Sequence, residues 1–177
     1  MGKCGIYLFA GLVVIGMACG VFVAAVGKDK GEQEGTKPCD VRLAEDLWME
    51  IKGYRTWPPP KGFEGWQEGQ SPHGKFLRYY VNDIGQEDPT KDGTVIVKAN
   101  YTEASYDALA SLTVMQKRQG YDPENADWFY VQYSPDGKIM TDDRGQKIAG
   151  PVGKGTDAGC VPCHKSAPGG DYLFMTK

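Results

Sequence analysis

The run Gly159-Cys160-Val161-Pro162-Cys163-His164-Lys165 gathers two of the five cysteines and one of the two histidines of a 177-residue chain into five consecutive positions. Two thiols two residues apart, with an imidazole beside the second, suit three chemistries. A thioredoxin-like redox pair wants a βαβ setting with a helix starting at the motif, and the residues before Cys160 do not read that way. A structural zinc site needs four ligands, and beyond these three the chain from Lys28 onward offers only His73 or Cys39, at remote and irregular positions. Covalent haem attachment is the third, and Cys-x-x-Cys-His is its signature. Two thiols on one helical turn can each add to one vinyl group of a porphyrin. The adjacent imidazole then lies under the ring plane, where it can bind the iron. The reading is one haem c per chain, held by thioethers from Cys160 and Cys163, with His164 as the proximal axial ligand.

The N-terminus agrees with that chemistry. After Lys3 no charged residue occurs until Lys28, and a basic start, an apolar middle and small residues near Ala25 and Gly27 are the pattern of a signal peptide. The same run is long enough to span a bilayer, which takes about 20 apolar residues, so residues 1–27 read as a signal peptide or, through residues 5–27, a membrane anchor. Either way the remainder is exported, to the periplasm, and c-type haem is attached outside the cytoplasm in bacteria. Cys39 then has no obvious partner and reads as a free or intermolecularly paired thiol. The net charge of −3 and the lack of a Lys/Arg cluster argue against nucleic-acid binding.

Residues 28–38 are polar and glycine-bearing, a solvated tether, and residues 39–177 form the domain that must position the motif. Val41, Leu43, Leu47, Trp48 and Ile51 lie close to helical spacing, with Asp40 as a candidate N-cap and Gly53 near the stop. The proline-rich stretch from Trp57 breaks regularity, and Trp57, Phe63 and Trp66 give it apolar anchors. From Lys75 the period becomes two: "KFLRYYV", "GTVIVKANY", "SLTVMQKR" and "DWFYVQY" are short runs rich in β-branched and aromatic residues. "SPDG" at 134–137 predicts a hairpin turn into "KIM", "ASYDALA" a short helix, and "DPEN" at 122–125 a turn with solvated charges. The fold class is α+β: a mainly antiparallel β-sheet domain with an N-terminal helix and a short C-terminal helix or loop carrying the haem motif.

The motif's C-terminal position excludes the small all-helical electron carriers, which bear it near the N-terminus. Four-helix bundles carry it late, but heptad-patterned helices cannot be drawn through "GTVIVKANY" or "DWFYVQYSPDGK". With "SPHGKFLRYYVND", "KDGTVIVKANY", "LTVMQKRQGYDPENADWFY", "YSPDGK" and "GCVPCHKSAPGGDYLF" in that order, the chain resembles the cytochrome P-460 family, which includes the cytochromes c′-beta. The resemblance implies a compact antiparallel β domain, usually homodimeric, with one five-coordinate c-haem whose open face takes small nitrogen oxides. Some members oxidise hydroxylamine, and in these a lysine is bonded to a porphyrin meso carbon; by motif position that lysine corresponds to Lys98. The c′-beta members bind nitric oxide or carbon monoxide. The second-sphere carboxylate that the hydroxylamine chemistry requires aligns with no acidic residue of this chain.

Read from the residues alone, Lys98 belongs to a strand with apolar residues on both faces, so alternation leaves open whether its amine faces haem or solvent. His73 has three readings: a turn cap, a partner of a haem propionate, or a distal ligand that would make a bis-histidine electron carrier. Met115 and Met140 read as core filling before distal thioethers. Phe76, Tyr79, Tyr80, Trp128, Phe129 and Tyr130 read as core, and Tyr172 and Phe174 as packing near the haem edge. Three functions stay open: a hydroxylamine-oxidising enzyme, a non-enzymatic nitric oxide binder, and an electron carrier serving an unidentified redox partner.

Overall fold

The computed structural model describes residues 36–168 and 171–175. The segment read as a signal peptide or anchor, and nearly all of the tether, lie outside the described residues. Among the described residues no helix is long and apolar enough to cross a membrane.

Helix α1 spans Pro38–Glu50 and continues as a 3₁₀ helix over Ile51–Thr56. Proline at its start suits the first helical turn, where an amide hydrogen has no partner to lose. Asp40 is not the N-cap: Lys37 holds that position without a side-chain hydrogen bond. Asp40 is instead buried within the first turn and accepts a 2.8 Å hydrogen bond from the Tyr121 hydroxyl. Cys39 is disulfide-bonded, which corrects its reading as a free thiol. Ala44, Leu47 and Ile51, spaced three and four apart, are buried on one stripe of the helical segment.

Six strands follow in one antiparallel meander, ordered as in the chain: β1 (Gln67–Glu68), β2 (Phe76–Val81), β3 (Val95–Tyr101), β4 (Leu109–Lys117), β5 (Trp128–Tyr133) and β6 (Ala149–Gly150). The four long strands are the runs whose period of two predicts them, and the short edge strands β1 and β6 had no such signal. A short helix α2 (Asp83–Glu87) is capped by Asn82, whose side chain accepts from the Gly85 amide. The "ASYDALA" segment forms one 3₁₀ turn, Tyr106–Ala108. The "SPDG" turn closes with a hydrogen bond from the Gly137 amide to the Ser134 carbonyl, but "KIM" returns through an isolated bridge, Tyr133 to Ile139, rather than a strand. The chain then reaches α3 (Cys160–Lys165).

The sheet has two unlike faces because side chains alternate along each strand. Val95, Val97, Ala99 and Tyr101 of β3 join Leu112, Val114, Phe129, Val131 and Tyr133 under the α1 stripe, the larger core. On the opposite face Val81, Ile96, Met115, Trp128 and Tyr130 pack against Val161 of α3 and against Tyr172 and Leu173. Trp57 and Trp66 pack on the larger core, and Phe63 stacks edge-on against Tyr79 at 5.1 Å, so the proline-rich loop is anchored as its aromatics imply. Tyr80, Trp128, Phe129 and Tyr130 are buried, whereas Phe76 and Tyr79 are half-buried.

Leu47 is 1% exposed at the centre of the α1 interface, and Met49 on the outer side is 61% exposed. Leu47→Ala should therefore lose about 2–5 kcal/mol through lost transfer energy and the cavity left behind. Met49→Ala should stay within about 0.5 kcal/mol of wild type. Urea denaturation of the two variants checks both values.

Candidate haem-binding site

Cross-strand register divides the second face of the sheet into rows. Val81, Ile96, Met115 and Tyr130 stand opposite one another on β2, β3, β4 and β5 and form an apolar row. One pleat further along, Tyr79, Lys98, Thr113 and Gln132 form a polar row, and Leu77, Asn100 and Ser111 a third. Helix α3 lies over the apolar row through Val161. A cavity opens beside it, lined by Ile96, Met115 and Tyr130 from the first row and by Lys98, Thr113 and Gln132 from the second. His73, Cys160 and His164 also line it.

Helix α3 begins where backbone meets backbone. Gly159 sits at the N-cap with φ 125°, and a Cβ there would come within 2.7 Å of the Gly153 Cα, so only glycine fits. Cys160 and Cys163 fall three residues apart on this helix, hence on one side of it. Both are free thiols, Cys160 half-buried and Cys163 exposed. Burial, reinforced by the neighbouring Cys163, pushes the Cys160 thiol up to about 12, so it stays protonated at neutral pH.

His164 is 8% exposed, and its Nδ1 lies 2.8 Å from the Tyr172 carbonyl oxygen. A carbonyl can only accept, so Nδ1 carries the proton and the Nε2 lone pair is left for a metal. Burial holds the imidazole down at about 4, with the Tyr172 carbonyl opposing and Lys98 assisting, so the ring is neutral at physiological pH. Rings of Tyr130 (5.4 Å) and Phe174 (5.5 Å) flank it. Tyr172 is buried as the sequence suggests, whereas Phe174 is 45% exposed.

Alternation alone left Lys98 undecided; the structure turns it into the cavity. Its Nζ lies 3.3 Å from His73 Nε2 and 5.4 Å from the centre of the Tyr79 ring. Thr113 Oγ1 lies 3.3 Å from His73 Nδ1, and the same hydroxyl accepts from Asn100 Nδ2 and donates to the Lys98 carbonyl. An ammonium can only donate, so with Lys98 charged Nε2 of His73 accepts and its Nδ1 donates to Thr113. Both nitrogens of His73 are thus occupied, and its ring stands edge-on 6.5 Å from that of His164. His73 is therefore neither a plain turn cap nor a free imidazole. Burial holds it down at about 3, with the Lys98 charge and His164 adding to the effect. Burial also brings Lys98 down to about 8, opposed by Cys163 and Cys160.

Met115 lines the cavity wall but is packed in the core, and Met140 is not among the lining residues. Among the described residues, none of those lining the cavity is Asp or Glu. Sequence reading missed the polar row, because Thr113, Asn100, Ser111 and Gln132 look like ordinary strand residues until register sets them beside Lys98. It also mistook Asp122, which is 5% exposed and bonded to Lys154 Nζ at 2.6 Å rather than solvated.

These groups fit a haem c. The wall supplies a neutral imidazole with one free nitrogen, the Cys160 thiol and an apolar row beside them, and the free Cys163 thiol follows three residues on along α3. On the cavity wall Tyr130 Oη is buried without a partner, and a buried unpaired polar atom normally marks a missing partner.

Lys98 also makes a pH prediction. Its pKa in the fold is about 8, below the ordinary 10.5, so between those values the unfolded chain binds a proton the folded chain has released. The Lys98 contribution to the stability of the haem-free chain should therefore rise with pH across that window, while Cys160, held protonated in the fold, contributes the opposite slope above about pH 9. Lys98→Met should flatten the rise, as read from thermal melts between pH 7.5 and 10.5.

A search among curated proteins finds no match. A family model described as Cytochrome P460 matches residues 51–175, from the end of the N-terminal helical segment through the motif and its C-terminal strap. The sheet, the cavity and the Cys160, Cys163 and His164 constellation all lie within that span, and the chain belongs to the cytochrome P460 family, whose members bind haem c.

Proposed function

We propose that this chain is an exported mono-haem c-type cytochrome whose five-coordinate iron binds small nitrogen oxides. The observation that carries the reading is the hydrogen bond from His164 Nδ1 to the Tyr172 carbonyl, which leaves Nε2 as a lone-pair donor beside two free thiols. When bound, the haem supplies one open iron coordination position and one-electron redox chemistry. Cys160 and Cys163 would tether the porphyrin, and His164 would hold the iron through Nε2. His73 is spent on Lys98 and Thr113, and Met115 is packed in the core. This supports an open sixth position over the bis-histidine or methionine-ligated electron carrier. Ile96, Met115 and Tyr130 give the cavity an apolar wall, which suits a flat apolar ring and limits water.

A second reading, oxidation of hydroxylamine, is favoured by the Lys98 amine. It faces the cavity on the thiol-bearing side, and its lowered pKa leaves a sizeable neutral, nucleophilic fraction near pH 8. In this reading Lys98 is bonded to the porphyrin edge and a redox partner protein removes the electrons. Export by residues 1–27 to the periplasm and assembly as a homodimer complete the proposal.

Optical spectra of the ferrous holoprotein should be those of a high-spin, five-coordinate haem that takes up nitric oxide; a low-spin, six-coordinate spectrum without ligand would reject both readings. Peptide mapping separates them. Lys98 found bonded to the haem peptide, with hydroxylamine turnover to an artificial acceptor that Lys98→Arg abolishes, supports the enzyme. A haem peptide free of Lys98 and no turnover leaves the nitric oxide binder.

A further inference from the structure

The turn that reads in sequence as solvated charge, Asp122 to Asp127, is folded inward beneath the strap that carries Tyr172. Its backbone closes on itself: the Asn125 and Asp127 amides both donate to the Asp122 carbonyl, and the Asp127 side chain accepts from the Asp122 amide. Asp122 is buried and bonded to Lys154 at 2.6 Å through one oxygen. Its other oxygen accepts from Asn125 Nδ2 at 2.8 Å. Asn125, also buried, turns its amide oxygen to the Tyr172 hydroxyl at 3.4 Å. The Tyr172 carbonyl accepts from His164. One polar chain thus runs from a partly exposed lysine to the imidazole that faces the haem cavity.

Tyr172 needs such a hold. Its φ is 65°, a left-handed conformation that a bulky L-residue rarely adopts. The residues on either side are fixed as well: Asp171 bonds Lys117 at 2.9 Å and accepts through its carbonyl from Trp128 Nε1, while Leu173 is buried. A backbone kept in this conformation from three directions points its carbonyl at a single atom, His164 Nδ1. Strain of this kind persists only where the surroundings over-determine it.

We propose that Tyr172 is the positioning residue of the proximal ligand, and that the Asp122–Asn125 turn, fastened by Lys154, sets through it the orientation and donor strength of His164 toward the haem iron. The proposal rests on the reading of His164 as that ligand. A proximal imidazole whose Nδ1–H is given to an acceptor becomes more basic, which strengthens its bond to iron and favours the ferric form. Loosening the acceptor should do the reverse.

The test uses haem-loaded wild type, Tyr172→Gly, Tyr172→Phe and Asn125→Leu. Haem content comes from the pyridine haemochrome, the iron–histidine stretching band of the ferrous protein from resonance Raman, and the one-electron potential from titration. Tyr172→Gly, which removes the conformational constraint and the anchor together, should lower the stretching frequency. It should also move the ferric–ferrous balance about tenfold toward ferrous, a rise of about 59 mV for one electron. Tyr172→Phe and Asn125→Leu break the same contact from its two ends, so each should shift the balance in that direction by about threefold. Their combination should shift it no further. A band and potential unchanged in all the variants that load haem would overturn the proposal. Should Tyr172→Gly fail to load haem, the other two variants decide it alone. A wild-type ferrous protein without an iron–histidine band would overturn the reading of His164, and the proposal with it.

Discussion

A sheet buried on one face by a single amphipathic helix still has a second face to account for, and this fold is organised by how that face is covered. Helix α1 closes the larger core through Ala44, Leu47 and Ile51. Among the described residues, the apolar row of the other face is covered by α3 and by the strap through Tyr172 and Leu173, with Val152 and Met175 packed against them. The polar row beside it faces the cavity, with His73 bonded to Lys98 and Thr113. Lys98, Thr113 and Asn100 would be costly on a buried sheet face without partners. They are tolerated because they bond to one another and to His73, and because the cavity is where a flat apolar ring with polar edges belongs.

The site's electrostatics follow from that burial. Two imidazoles and one amine share a small poorly hydrated space, and burial disfavours the charged form of each. His73 and His164 are neutral, and Lys98 is the one group poised to gain or lose a proton near physiological pH. The two histidines have different tasks because they have different partners. A carbonyl that can only accept frees one nitrogen of His164, whereas a threonine and a lysine occupy both nitrogens of His73.

Much of this was legible in the order of residues, for physical reasons that also set its limits. The long strands β2 to β5 announce themselves by alternation and β-branched content, and α1 by its apolar stripe. The haem constellation is local: Cys160, Cys163 and His164 lie within one helical turn, so spacing is geometry. What depends on register or on tertiary capture was not legible. Lys98 sits between apolar neighbours on both faces, and only pairing with Tyr79 and Thr113 decides its direction. Asp40 and Asp122 resemble a helix cap and a solvated turn charge, but Tyr121 and Lys154, 81 and 32 residues away, draw them inward. The edge strands β1 and β6 have two residues each, too few for any period to show.

The central claim is that Cys160 and Cys163 carry a porphyrin with His164 beneath its metal. The direct measurement is intact mass before and after treatment with a thiol-alkylating reagent, on chain matured in a host able to attach haem c. The account predicts a coloured protein heavier by one haem, with Cys160 and Cys163 both refractory to alkylation. A colourless protein of polypeptide mass, with both thiols alkylated, would contradict it.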